Sequence, residues 1–188
     1  MEEKPSMTMR DLGIVQAGAV ILDEPARDFT LPTERDTVTA VVDDLFAATD
    51  RAGRVHPFAK GMGIAAPQIG IDRRVAVVRP AAPEAPAIIL LNPRITAASE
   101  EQDEQYEGCL SFFDVRGLVP RALHITVETV MLTGESTTAD YHYGLARLVI
   151  HEIEYLDGIL YRVRMRPGVE PIPIAEYRQT GSAWHYSQ

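Results

Sequence analysis

Residues 141–158 read YHYGLARLVIHEIEYLDG. Leu145, Leu148, Val149, Glu152 and Leu156 recur at steps of three and four, the spacing that lines up side chains along one side of a helix. The spacing predicts a helix over 141–157, and Gly158 stands where helices commonly close on a left-handed glycine. His151 and Glu152 fall in its middle, and Tyr155 lies one turn beyond His151 on the same face. In an HExxH pattern, two histidines at this spacing reach one metal ion and the glutamate acts on metal-bound water. Here the second position is Tyr155, and a bare His-Glu pair fits a partly buried helix histidine equally well.

Working outward, Cys109 sits in EGCLS (107–111). Its residue type allows three roles: a small buried hydrophobe, a thiolate completing a metal site with His151, or a nucleophile partnered by His151 or His142. Further upstream, GMGIAAPQIG (61–70) lacks the G-K-[ST] ending of a phosphate loop, and its glycines do not fit a dinucleotide fingerprint. Small residues there let a strand or ligand lie close to the backbone, and Gln68 offers an amide beside it. As the cysteine stands alone, no internal disulfide exists and nothing demands an oxidising compartment.

The remaining pattern predicts an amphipathic helix over 34–52, from Val38, Val41, Val42, Leu45, Phe46 and Ala48. It predicts strands over 74–79, 87–91, 125–131 and 159–163. The segment 99–108 reads as an acidic surface loop. Residues 1–12 are expected to be a flexible leader, 13–165 one domain, and 166–188 an extended tail with Trp184, His185 and Tyr186 packed on the body. Short strands around one central helix indicate an α+β fold. With 27 acidic against 18 basic residues, a net charge of −9 argues against nucleic acid as a specific partner. No apolar run approaches the length of a membrane span, and the amino-terminal residues lack a signal-peptide pattern, so a cytoplasmic protein is expected.

Together the three segments resemble the peptide deformylase family. Its G-x-G-x-A-A-x-Q pattern is matched by Gly61, Gly63, Ala65, Ala66 and Gln68, and its E-G-C-L-S by Glu107–Ser111. Its Q-H-E-x-D-H-L-x-G appears as Ile150–Gly158. Asn92–Ile95, Arg116, Val119–Arg121 and Gly144–Ala146 agree with the flanks, so that the likeness covers roughly residues 10–165. The resemblance implies short antiparallel or mixed sheets around a helix carrying the motif. It also implies one Fe²⁺ (or Zn²⁺) per chain, held at the positions of Cys109, His151 and Tyr155. Glu152 would be the general base, with the Gln68 amide and the Leu110 N–H holding the oxyanion. Gly61, Gly63, Ile64, Ala65, Phe112 and Arg116 would line a groove for a formylated peptide or a small formylated substrate, bound by strand addition. The family implies a monomer or weak homodimer, away from membranes.

The sequence departs from that pattern at Tyr155, Ile150, Glu154 and Phe112-Phe113. A phenol titrates near pH 10 and must ionise to bind a metal strongly. His142 and His56 are further candidates for a supporting ligand. The leading expectation is a metal-dependent hydrolase that removes N-formyl groups. The alternative is a catalytically silent protein that binds a peptide or formylated ligand, its metal site impaired by Tyr155. A third reading makes Cys109 the nucleophile of a metal-independent enzyme.

Overall fold

The structure, a computed structural model, describes residues 4–179. The expected packing of Trp184, His185 and Tyr186 lies outside the described residues. Helix α1 (Pro5–Asp11) begins with a proline in its first turn, where no intrahelical N–H is needed. Ser6 anchors it, donating from its N–H and hydroxyl to the Asp114 carboxylate at 2.9 and 2.6 Å. Met9 is 2% exposed. From Pro5 onward the expected leader is therefore a docked helix, too short for its periodicity to show.

Helix α2 (Arg35–Val55) buries Val38, Val41, Val42, Leu45, Ala48, Thr49 and Ala52. It outruns the predicted end at residue 52 because Ala52 extends the apolar stripe four residues past Ala48. Strands β1 (Met62–Ala65), β2 (Val75–Arg79) and β3 (Ile88–Leu91) form an antiparallel sheet in the order β1-β2-β3. The pleat sends Val75 and Val77 into the cluster packed on α2, and Ala76 and Val78 into the cluster around helix α3 (Tyr143–Leu156). On β1, Met62 and Ile64 join the α2 side. Gly63 and Ala65 alternate with them, and a Cβ at Gly63 would overlap the Glu152 carboxylate. The small residues thus let the helix that carries Glu152 lie against the sheet. From Ala146 to Leu156 all of α3 is buried except Leu148, so the central helix has no solvated side along that stretch.

Strands β4 (Arg94–Ala98), β7 (His124–Val130) and β8 (Ser136–His142) make a second antiparallel sheet. The third joins β5 (Gln102–Cys109), β6 (Phe112–Ala122) and β9 (Ile172–Pro173) in that order. β5 corrects the expected acidic loop. Its acidic residues belong to a strand, in which Glu107 is buried and Asp103 half-buried, both bonded to the buried Arg147. The predicted strand over 159–163 is replaced by a short 3-10 helix, Tyr161–Arg164, with Tyr161 buried. Nor is the chain after 166 simply extended: β9 pairs with Val115 and Arg116, and helix α4 (Ile174–Gln179) buries Ile174. Among the described residues no helix is long and apolar enough to cross a membrane.

Truncating a fully packed methionine leaves a cavity worth about 2–5 kcal/mol. Met9→Ala is therefore expected to lower the unfolding free energy by that amount in urea titration. A change below about 0.5 kcal/mol, the size of an ordinary surface substitution, would show that α1 does not dock.

Candidate functional site

The site grows from one buried carboxylate. Glu107, 2% exposed on β5, accepts from Arg121 Nε and Nη2 of β6 at 2.9 Å each, and from Arg147 Nη1 of α3 at 2.7 Å. Its Oε2 also lies 3.0 Å from His151 Nδ1. Burial alone would raise the Glu107 carboxyl, but Arg121 and His151 outweigh it and hold the group well below the usual carboxylate range. Arg147 also bonds Asp103 Oδ1 at 2.7 Å and the Val119 carbonyl at 2.9 Å. Arg121 reaches on to Glu154, whose other oxygen takes Arg164 Nε at 2.6 Å. Glu154 is thus fully employed in ion pairs. Cutting one partner from a buried charged set of this kind costs about 3–5 kcal/mol.

Two residues beyond Glu107, Cys109 Sγ and Tyr155 Oη are in hydrogen-bond contact at 2.8 Å. Gln68 Nε2 donates to Cys109 Sγ at 3.3 Å and to Ser111 Oγ at 3.1 Å, while its Oε1 accepts from the Ala65 N–H at 2.8 Å. Burial opposes a charge on His151, yet hydrogen bonds and attraction from Cys109 and Glu107 prevail and hold it protonated well above the ordinary histidine range. Burial, then the neighbouring Cys109, pushes the Tyr155 phenol well above its ordinary value.

The expected Fe²⁺ or Zn²⁺ centre does not fit these residues. Among the described residues, no group of three His, Cys, Asp or Glu side chains could hold a metal ion. Tyr155 Oη closes directly on the sulfur, and its phenol resists the ionisation that ligation requires. The leading expectation of a metal-dependent hydrolase is corrected on the same finding.

A cavity of about 260 Å³ opens over this corner, lined by Gly61, Gly63, Glu107, Cys109, Leu110, Arg116, His151 and Glu152 from the expected set or its motifs. Ile64, Ala65 and Gln68 are buried behind it and do not line it. Phe112 points elsewhere, against Tyr161 at 6.1 Å between ring centres and under Arg162. Its neighbour Phe113 takes the wall instead, with His56 and Phe58 edge-on at 5.0 and 6.3 Å. His56 is therefore an aromatic wall residue, while His142 pairs with His124 at 2.6 Å on the β7–β8 sheet. Sequence reasoning missed Phe58, Lys60, Arg147, Leu148 and Tyr177 as lining residues. Arg147 had one legible signal, its place one turn before His151 on the same helix face.

Glu152 is 2% exposed, and its Oε2 has no hydrogen-bond partner among the described residues. Burial, with a smaller contribution from Glu107 and against the pull of His151, raises its carboxyl to about 7.

With the geometry in place, comparison with known proteins decides the family. The family model described as "Polypeptide deformylase" matches residues 12–170. The chain belongs to the polypeptide deformylase family. Among curated members, the peptide deformylase of Acidobacterium capsulatum is 39% identical over 154 residues, covering 81% of this chain and 85% of that one. Peptide deformylase 1 of Bordetella pertussis is 38% identical over 145 residues, 72% of this chain and 78% of that one. Among solved structures, a class I type b peptide deformylase from Acinetobacter baumannii superposes with a TM-score of 0.70 at 34% identity, over 81% of this chain and 97% of that one. The α+β architecture is thus that of known deformylase structures.

For Glu152, the folded value near 7 exceeds the unfolded 4.5. The protonated carboxyl therefore favours the folded state. That stability is complete below about pH 4.5 and is lost as pH rises through about 7. Glu152→Gln keeps the side chain neutral. It should match the wild type near pH 4 and exceed its unfolding free energy by up to about 3 kcal/mol near pH 8.5. A difference that does not change with pH would contradict the assignment.

Proposed function

We propose that this chain is a divergent, catalytically silent member of the deformylase family that binds a peptide or formylated ligand in the cavity over Cys109. The observation that carries the reading is the 2.8 Å contact between Cys109 Sγ and Tyr155 Oη. In place of an open coordination corner, the two side chains satisfy one another. HExxY at 151–155, with Ile150 and Glu154, is on this reading the mark of a member that has given up the metal while keeping the pocket.

What remains is suited to binding. The cavity wall joins aromatic His56, Phe58 and Phe113 with Gly61 and Gly63 of the β1 end. Glycines there allow an incoming backbone to lie close, as strand addition requires. Gly61, Gly63, Leu110 and Arg116 are the proposed contacts from the expected set, and Glu152 is the polar group at the floor. Ile64, Ala65 and Gln68 hold those contacts in place from behind. The unit from about 13 to 165 would carry the whole pocket except Tyr177, and the setting would be the cytoplasm.

The reading is tested by metal content. Chain purified anaerobically should carry iron and zinc far below one per molecule by mass spectrometry and should not turn over formyl-Met-Ala-Ser. Tyr155→His should raise the metal content severalfold. Near-stoichiometric metal in the wild type would overturn the proposal.

A further inference from the structure

Away from the cavity, two histidines face each other across the β7–β8 ladder. His124 and His142 are register partners, and their Nδ1 atoms lie 2.6 Å apart. The ring planes meet at 66° with centres 4.9 Å apart, so the rings are not stacked and two in-plane nitrogens meet. His142 is exposed and His124 half-buried, which leaves the pair open to ions in solution. Tyr143 packs edge-on against His124 at 5.1 Å between ring centres. The backbone beneath is held in place. The His124 N–H donates to Ser99 Oγ at 3.1 Å, and the Tyr143 N–H donates to the Leu123 carbonyl at 2.6 Å. Neither histidine lines the cavity over Cys109.

We propose that His124 and His142 form a two-imidazole site for a borderline divalent transition ion, Zn²⁺ or Ni²⁺, bound through both Nδ1 atoms with water at the remaining positions. Imidazole is the side chain that suits such ions, and each ring needs only a free lone pair. The hydrogen bond between the rings uses one proton on one Nδ1. When the ion takes its place, that proton moves to Nε2 of the same ring, and both Nδ1 lone pairs point at the metal. Zn–N bonds of about 2.0–2.1 Å set two nitrogens of a tetrahedral site about 3.3 Å apart. The rings therefore need to part by less than about 1 Å, which side-chain torsions supply while the ladder stays paired. Asp140 follows on the same face of β8, and its carboxylate, bonded to Thr126 Oγ1 at 2.6 Å, adds negative charge there. Mg²⁺ keeps to oxygen ligands and does not compete. With only two protein ligands the ion exchanges freely, so the site fills when the ion is in solution and empties during purification. The inference stands apart from the binding role proposed above.

Calorimetric titration of the full chain with Zn²⁺, after chelation and gel filtration, tests this. One Zn²⁺ per chain is expected, displaced by Ni²⁺ and not by Mg²⁺. His124→Gln and His142→Gln should each weaken binding by about tenfold or more, the lower end of what even the supporting groups of a metal site contribute. Cys109→Ser, at the cavity floor, should leave it within about twofold. No saturable binding below about 1 mM, a free energy of roughly 4 kcal/mol, would overturn the proposal, as would binding that persists in both histidine variants. Loss of binding in Cys109→Ser would place the ion in the cavity and overturn it too. Where a variant does not fold, the wild type decides: paramagnetic Ni²⁺ below one equivalent should broaden the ring-proton NMR signals of His124 and His142 first, and earlier broadening of His151 would contradict the site.

Discussion

Everything at this site hangs on the ionised carboxylate of Glu107. Removed from water, it is compensated by a two-pronged Arg121, by Arg147 and by His151. Those partners come from β6 and α3, so one charge ties the hairpin to the central helix. Buried ion pairs contribute little net stability when complete, and they are costly when broken. Their effect here is positional. They fix the His151 ring and the β5 end from which Cys109 projects, and Arg121 extends the same constraint to Glu154 and the chain beyond α3.

That scaffold places Tyr155 opposite Cys109. With tyrosine at this point, the phenol reaches the sulfur directly. The corner then closes by hydrogen bonding among Cys109, Tyr155 and Gln68. Glu152 is left on the cavity side with a raised titration point and no hydrogen-bond partner for Oε2 among the described residues. Tyr155 thus fills the corner beside Cys109 with a hydrogen-bonded phenol, next to the Glu152 carboxyl. The family assignment and the altered chemistry are compatible for this reason, since fold and site are set by different residues.

The motif helix, α2, the strands β2, β3 and β7 and the family itself were legible in the sequence, because periodicity and three long motifs speak of local structure. β5 was not. Its polar run looks solvated until Arg121 and Arg147, 14 and 40 residues away from Glu107, are known to face it. Phe112 and Phe113 show the limit of a motif read without a register. Cys109 pairs with Phe112 across a tight hairpin with a shift after Glu107, and that irregularity decides which phenylalanine faces the cavity. Tyr155 stands out in the sequence as a departure from the family pattern. Its outcome depended on a 2.8 Å contact that spacing cannot supply. Phe58 and Lys60 lie in a loop with no periodic signal, and Tyr177 reaches the cavity from α4, which no motif announced.

Tyr155 and Cys109 close on each other at the floor of the cavity. Anomalous diffraction from crystals grown with excess Zn²⁺ tests it most directly. The account predicts no zinc peak between Cys109 and His151, with Sγ and Oη still in hydrogen-bond contact. A peak there at full occupancy, with the thiolate, the imidazole and a displaced tyrosine oxygen gathered around it, would contradict it.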